Sequence, residues 1–208
     1  MNSAALFIQT ALQMGTHILF AVLGGILCEK VGHLNLGIEG MMLMGASVGF
    51  LAAYNTDNPL VALLAAGLAG AAGALLYAII TVTLKGNQVV TGLVLTIFGT
   101  GVSGFIGQGI TGLGLSENIS KAFAPIHLPL LSKIPFLGTA FFQHGILVYA
   151  APVLAVLLYL FLKYTSIGLN IRSIGENPAA ADASGVNVNL YKYLSILAGG
   201  FFCGIGGS

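Results

Sequence analysis

Residues 59–84 read PLVALLAAGLAGAAGALLYAIITVTL, with no Asp, Glu, Lys or Arg among them. Roughly 17–25 apolar residues in a helix cross the ~30 Å hydrocarbon core of a bilayer, so the stretch predicts a membrane span. Runs at 6–28, 89–110 and 145–162 are equally free of those four residues. A further candidate, 35–54, is interrupted by Glu39 and is expected to be broken or re-entrant. The expected fold class is all-α, a polytopic transmembrane helix bundle forming one domain over 1–208.

Composition points the same way. The chain is 57% apolar and 6% charged, whereas globular domains average about 25% charged residues. A net charge of +1 without a Lys/Arg cluster excludes nucleic acid as a partner. No cation precedes the first run, and its 23 residues exceed a signal-peptide core, so it reads as a retained helix. Cys28 and Cys203 lie singly in or beside apolar runs and read as small buried hydrophobes; neither a metal site nor a cofactor is indicated. The final apolar segment, 194–208, is short for a full crossing, and the chain is expected to be the N-terminal part of a longer protein.

Small residues recur at helical packing distance: Ala66, Gly70 and Ala74; Ala69 and Gly73; Gly200 and Gly204. Such faces let membrane helices approach closely, either within the bundle or at a subunit interface.

Residues 163–193, KYTSIGLNIRSIGENPAAADASGVNVNLYKY, form a polar island with five of the thirteen formal charges. If 35–54 crosses once, the loops carrying Lys30, Lys85, Lys163, Arg172 and Lys192 share one side, and Lys121 and Lys133 the other. The positive-inside bias then places the island in the cytoplasm and the N-terminus outside; a re-entrant 35–54 would bring the N-terminus inside. The stretch 111–144, with Pro125, Pro129 and Pro135, cannot be one helix and is expected to form short turns at the outer surface. His127 and His144 lack ligand spacing and read as interfacial histidines.

Within the apolar part, GHLNLGIEGMMLMGA (32–46) is the most polar segment. If helical there, Asn35 and Glu39 share a face at i, i+4, lining a polar cavity or holding a helix break closed. Glu39 then either bonds backbone amides near the headgroups, lines a solute path, or couples protons. Thr96, Thr100 and Ser103 fall on one helical stripe, facing solute or bonding neighbouring backbone. No phosphate-binding loop and no catalytic constellation is discernible, so the chain is read as neither an ATPase nor an intramembrane hydrolase.

Together, GHLNLGIEGMMLMGA (32–46), GNQVVTGLVLTIFGTGVSGFIG (86–107), LPLLSKIPFLG (128–138) and TSIGLNIRSIGENPAAADASGVNV (165–188) resemble one family. It is that of permease subunits of bacterial ABC importers in the ribose, branched-chain amino acid and nucleoside branch, and the nucleoside or simple-sugar permeases are nearest. The resemblance implies a multi-pass protein of the bacterial cytoplasmic membrane. It would work with cytoplasmic ATPase subunits, a second permease subunit, identical or not, and an extracytoplasmic solute-binding lipoprotein. The island would be the coupling loop, with Gly168, Arg172, Gly175, Glu176, Asn177, Ala180, Ala181 and Gly185 as its ATPase-coupling residues.

The residues carry a reading of their own. Asn177-Pro178 is a helix-start pattern and Gly185 a stop. Arg172 and Glu176, four apart, could steer docking or form a solvated pair. Against the EAA-type loop of other ABC permeases, Ala179 stands in the place of Glu and no Ile-x-Leu-Pro follows. The alternative function is an ion-coupled secondary transporter with Glu39 as coupling site.

Overall fold

The computed structural model describes residues 3–127 and 141–208. Its long helices are α1 (Ser3–Lys30), α2 (Ile38–Thr56), α3 (Pro59–Ala78), α4 (Gln88–Ile110), α6 (Ile146–Tyr164) and α9 (Val188–Gly207). Between them lie the short helices α5 (Glu117–Ala122), α7 (Ser166–Glu176) and α8 (Pro178–Ala183). A two-residue ladder pairs Ile126 with His144 and His127 with Gln143. Lys133, Pro129 and Pro135, on which part of the outer-surface expectation rests, lie outside the described residues.

Five of these helices are long and apolar enough to cross a membrane: Ala4–Lys30, Pro59–Thr83, Gln88–Ile110, Ile146–Tyr164 and Val188–Gly207. Large apolar side chains crowd their outer surface, with Phe105 at 81% exposure and Ile97 at 74%. Lipid tolerates such a surface because hydrocarbon is as apolar as the side chains. The chain is a polytopic membrane helix bundle.

Backbone contact rather than side-chain bulk holds the centre. The Ala66–Gly70–Ala74 face of α3 packs on Gly200 and Gly204 of α9, so closely that a β-carbon on Gly70 would strike the Gly200 carbonyl. Gly73, on another face, rests on Met41 and Met44 of α2. Gly24 of α1 meets Gly199 of α9, with Cys28 and Cys203 beside the crossing. Both thiols are buried in the core with Met41, Tyr77, Leu95 and Ile196.

Two helix starts differ from the sequence pattern. α2 is continuous from Ile38 to Thr56, and the irregular backbone lies ahead of it, in residues 31–37. α9 begins at Val188, ahead of the apolar run at 194, because Asn187 Oδ1 accepts from Leu190 N at 3.0 Å and caps it. Its polar opening turn, with Asn189, Tyr191 and Lys192, hides the helix from a hydropathy reading.

The two ends of the bundle are distinct. One gathers the turn 31–37, the α3–α4 connection and α7–α8: Thr83 Oγ1 lies 2.6 Å from Tyr193 Oη, and Gly32 faces Gly175. At the other, Asp57 in the α2–α3 turn accepts hydrogen bonds from Ser116 and Asn118, and His17 meets the carbonyl of Gly206 at 2.9 Å. α2 runs antiparallel to α3 between these ends, with Met41 and Met44 near Gly73 and Gly49 near Ala62 and Ala66.

Candidate functional site: helices α7 and α8 and the polar turn

The polar island folds into two short helices seated on the ends of α1 and α6. Thr165 starts α7, its Oγ1 accepting from Gly168 N at 3.0 Å. Gly168, Ile171 and Ile174 form one buried face at three-residue spacing. Ile171 and Ile174 join Leu27 and Val31 of the α1 end, Leu162 of α6, and Ala181 in one apolar cluster. Burying each isoleucine stabilises this seat by about 1.5–3 kcal/mol.

Two glycines bring α7 down to backbone contact. A β-carbon on Gly168 would strike the Phe161 carbonyl, and one on Gly175 the carbonyl of Lys30. Asn170 Nδ2 donates to Tyr191 Oη at 2.8 Å and so ties α7 to α9. That bond is absent from any sequence signal, since it joins residues on two helices whose meeting depends on the intervening turn.

α8 follows without a spacer. Asn177 Oδ1 accepts from Ala180 N at 3.1 Å, with Pro178 in the first turn, where its missing N–H is no loss. Ala181 faces inward, whereas Pro178, Ala179, Ala180 and Asp182 are exposed. The helix ends as Val186 N returns to Ala181 O at 3.1 Å and Gly185 takes φ +82°, a left-handed stop that glycine adopts without strain. An open groove of about 640 Å³ beside α8 is lined by Pro178, Ala179, Asp182, Gly185, Asn187 and Asn189, among others. Small side chains on a capped base have little side-chain entropy to lose on burial.

Arg172 and Glu176 do not pair. Arg172 Nη2 points instead to the Lys163 carbonyl at 3.4 Å, near the α6 C-terminus, where the helix dipole favours a cation. Glu176 is exposed.

Next to α7 lies the turn 31–37. Asn35 is buried outside any helix, and its Oδ1 accepts from Gly37 N at 2.8 Å, closing an Asx turn that starts α2. Asn35 and Glu39 therefore do not share a helix face. Glu39 sits exposed in the first turn of α2, where a carboxylate is favourable, and forms no ion pair among the described residues.

The turn is clasped by three side chains, one from α3 and two from α4. Gln88 accepts from Leu34 N at 2.8 Å and donates to Gly32 O at 3.3 Å. Tyr77 Oη donates to Leu34 O at 2.8 Å. Thr96 Oγ1 donates to Leu36 O at 3.0 Å, and Thr100 Oγ1 to Thr96 O at 2.9 Å. Both threonine hydroxyls of the stripe are thus engaged with backbone, and Ser103, its third member, lies half-buried further along α4. The structure brings Asn35 and Thr96 to one turn; Glu39 and Thr100 are exposed at the bundle surface. Tyr77 and the clasp made by Gln88 are the parts that sequence reading missed, and Asn87-Gln88 ahead of an apolar run is the one local hint of them.

His33 packs edge-on against Tyr77, with ring centroids 6.3 Å apart. Burial, with the Lys192 ammonium adding to it, holds its imidazole down at about 4. At neutral pH it is uncharged.

Residues 7–208 match the family described as branched-chain amino acid transport system / permease component. A putative glucose ABC transporter permease protein of Haloferax volcanii is 35% identical over 212 residues, covering 100% of this chain and 63% of that protein. A nucleoside ABC transporter permease protein of Lactococcus lactis subsp. cremoris is 34% identical, covering 100% of this chain and 67% of the relative. A guanosine ABC transporter permease protein of Bacillus subtilis is 33% identical, with coverages of 98% and 66%. The chain thus spans about two thirds of the length of these curated relatives. No solved structure matches.

Proposed function

This chain belongs to the permease-component family of branched-chain amino acid transport systems, and from that premise we propose that it is the membrane-spanning permease subunit of an ATP-driven importer. The observation that carries the reading is α8: a six-residue helix, capped by Asn177, held by Ala181 and Ile174 and offering small exposed side chains at one end of a membrane bundle. A separate ATPase docks there, in this reading: Glu176, Asn177, Ala180 and Gly185 are exposed toward it, whereas Gly168, Gly175 and Ala181 seat the two helices on the bundle and Arg172 ties α7 to the end of α6.

Lys30, Lys85, Lys163, Arg172 and Lys192 all belong to the end of the bundle that bears α7–α8, and Lys121 belongs to the other. The positive-inside bias supports a cytoplasmic position for that end, with α2 as a full crossing and the N-terminus outside. A second permease subunit completes the path, with Glu39, Thr100 and Ser103 along its wall, while Asn35 and Thr96 hold the turn beside it. The solute is a nucleoside or simple sugar, the classes named for the relatives, delivered by an extracytoplasmic binding lipoprotein. Ion-coupled transport through Glu39 is not favoured, because these relatives are ABC permeases.

Reconstitution with the cognate ATPase and binding protein tests this. Gly185→Trp is expected to obstruct docking and separate ATP hydrolysis from uptake, whereas Gly185→Asn, which tolerates a positive φ, keeps them linked. Glu39→Gln is expected to lower uptake without lowering protein level. Uptake driven by an ion gradient without ATP would overturn the proposal.

A further inference from the structure

A groove of about 460 Å³ runs between α1 and α6 toward the end that carries α7. Its walls are apolar, from Leu19, Leu23 and Ile26 on α1 and Ala155, Leu158 and Leu162 on α6. Its mouth is not. Lys30 in the last turn of α1, Lys163 in the last turn of α6 and Arg172 of α7 all line it.

Among the described residues no carboxylate pairs with these three cations. Lys163 Nζ is held by Tyr159 Oη at 2.7 Å and lies over the Tyr159 and Tyr164 rings at 5.2 and 5.3 Å. Arg172 Nε is buried without a hydrogen-bond partner, and Nη2 reaches only a carbonyl at 3.4 Å. Glu29 and Glu176 are the nearest acids in sequence, yet the one ion pair among the described residues is Lys121–Glu117. With Nη2 on a carbonyl alone, the Arg172 guanidinium has no counter-ion among the described residues, and an anion at the groove mouth would supply one.

We propose that this groove is a binding site for an anionic phospholipid of the leaflet at this end. One acyl chain lies between α1 and α6, and the phosphate sits among Lys30, Lys163 and Arg172. Basic pockets between membrane helices select such headgroups, and each cation near an anionic surface contributes about fivefold in affinity. An acyl chain is the occupant because the groove opens along lipid-facing helices: Val22 and Tyr159 on its rim are 47% and 56% exposed. Because Arg172 belongs to α7, a bound phosphate would tether the docking helices to the bundle. The proposal requires only that the chain is embedded in a membrane, and its test reads lipid rather than uptake, so its failure leaves the transport reading standing.

The test is lipid retention by the full-length protein in mild detergent, read by native mass spectrometry and by titration with phosphatidylglycerol against phosphatidylcholine. Selective retention of phosphatidylglycerol is expected. The combined Lys30→Gln, Lys163→Gln and Arg172→Gln variant should lose on the order of 100-fold of that affinity. Lys30→Gln alone, the fallback if the triple variant fails to fold, should lose about fivefold. Ala155→Phe, which fills the groove and leaves the cations, should also abolish retention, and Lys121→Gln at the other end should not. Equal binding of the two lipids, unchanged selectivity in the charge variants, or displacement by inorganic phosphate with Ala155→Phe silent would each overturn the site. An empty groove in the intact assembly, covered by another protein segment, would overturn it as well.

Discussion

Gly175 of α7 lies against the main chain of Lys30, at the end of α1, with no room for a β-carbon between them. Through that contact α7 touches the first membrane helix and, at Gly32, the polar turn that follows it. Gln88 carries the turn onward to α4. Backbone contacts and hydrogen bonds thus run without a gap from α7 through the turn to α4.

Gly175→Val is expected to pry α7 from α1. Overpacking of this kind costs about 1–3 kcal/mol. Reconstituted transport should show ATP hydrolysis persisting while uptake falls; equal loss of both would show general unfolding, and no change in either would remove the contact from the coupling route.

At the crossing of α3 and α9, Gly70→Leu or Gly204→Leu should abolish the folded bundle, because each side chain would meet backbone rather than a movable side chain. Gly15→Ala, with nothing within 4 Å of the added carbon, should leave it intact. Detergent-resistant thermal melting of the three proteins checks both statements.

The Asp57 carboxylate is held below its ordinary value by hydrogen bonds from Ser116 and then Asn118. A carboxylate lowered on folding contributes stability above its unfolded value of ~3.9, lost as pH falls through the folded value. The tie between the α2–α3 turn and the segment before α5 should thus persist through neutral and mildly acid pH and release only in strong acid. Asp57→Ala should release it at every pH, read as faster limited proteolysis around residues 111–118.

His33 behaves with the opposite charge. Its ordinary value of 6.5 is lowered to about 4 by burial and then by Lys192, so the unfolded chain takes up a proton that the folded chain refuses. Its contribution is complete above about 6.5 and is lost as pH falls from there toward 4. His33→Phe, which keeps an aromatic edge against Tyr77, should flatten acid destabilisation across that window. Melting temperature measured at pH 7, 5.5 and 4.5 in both proteins decides it.

Much of this was legible in the order of residues. Uninterrupted apolar runs predict crossings because lipid cannot satisfy a backbone that is not helical. Asn177-Pro178 and Gly185 predict the bounds of α8 because capping and left-handed stops are local chemistry. The spacing of Ala66, Gly70 and Ala74 predicts a close helix contact, although not that α9 would be the partner.

What a residue touches across the bundle was not legible. Asn35 and Glu39 have helical spacing, yet an Asx turn removes Asn35 from the helix. Arg172 and Glu176 have it too, yet Arg172 turns to the carbonyl of Lys163. The chain order by itself determined the class of fold, the membrane as its solvent and the bounds of the short helix α8, since each depends on contacts within a few residues. Only the tertiary structure decided that Gln88, Tyr77 and Thr96 clasp one turn and that three cations from α1, α6 and α7 share the mouth of one groove. Those juxtapositions join residues up to more than a hundred positions apart, and packing alone sets their partners.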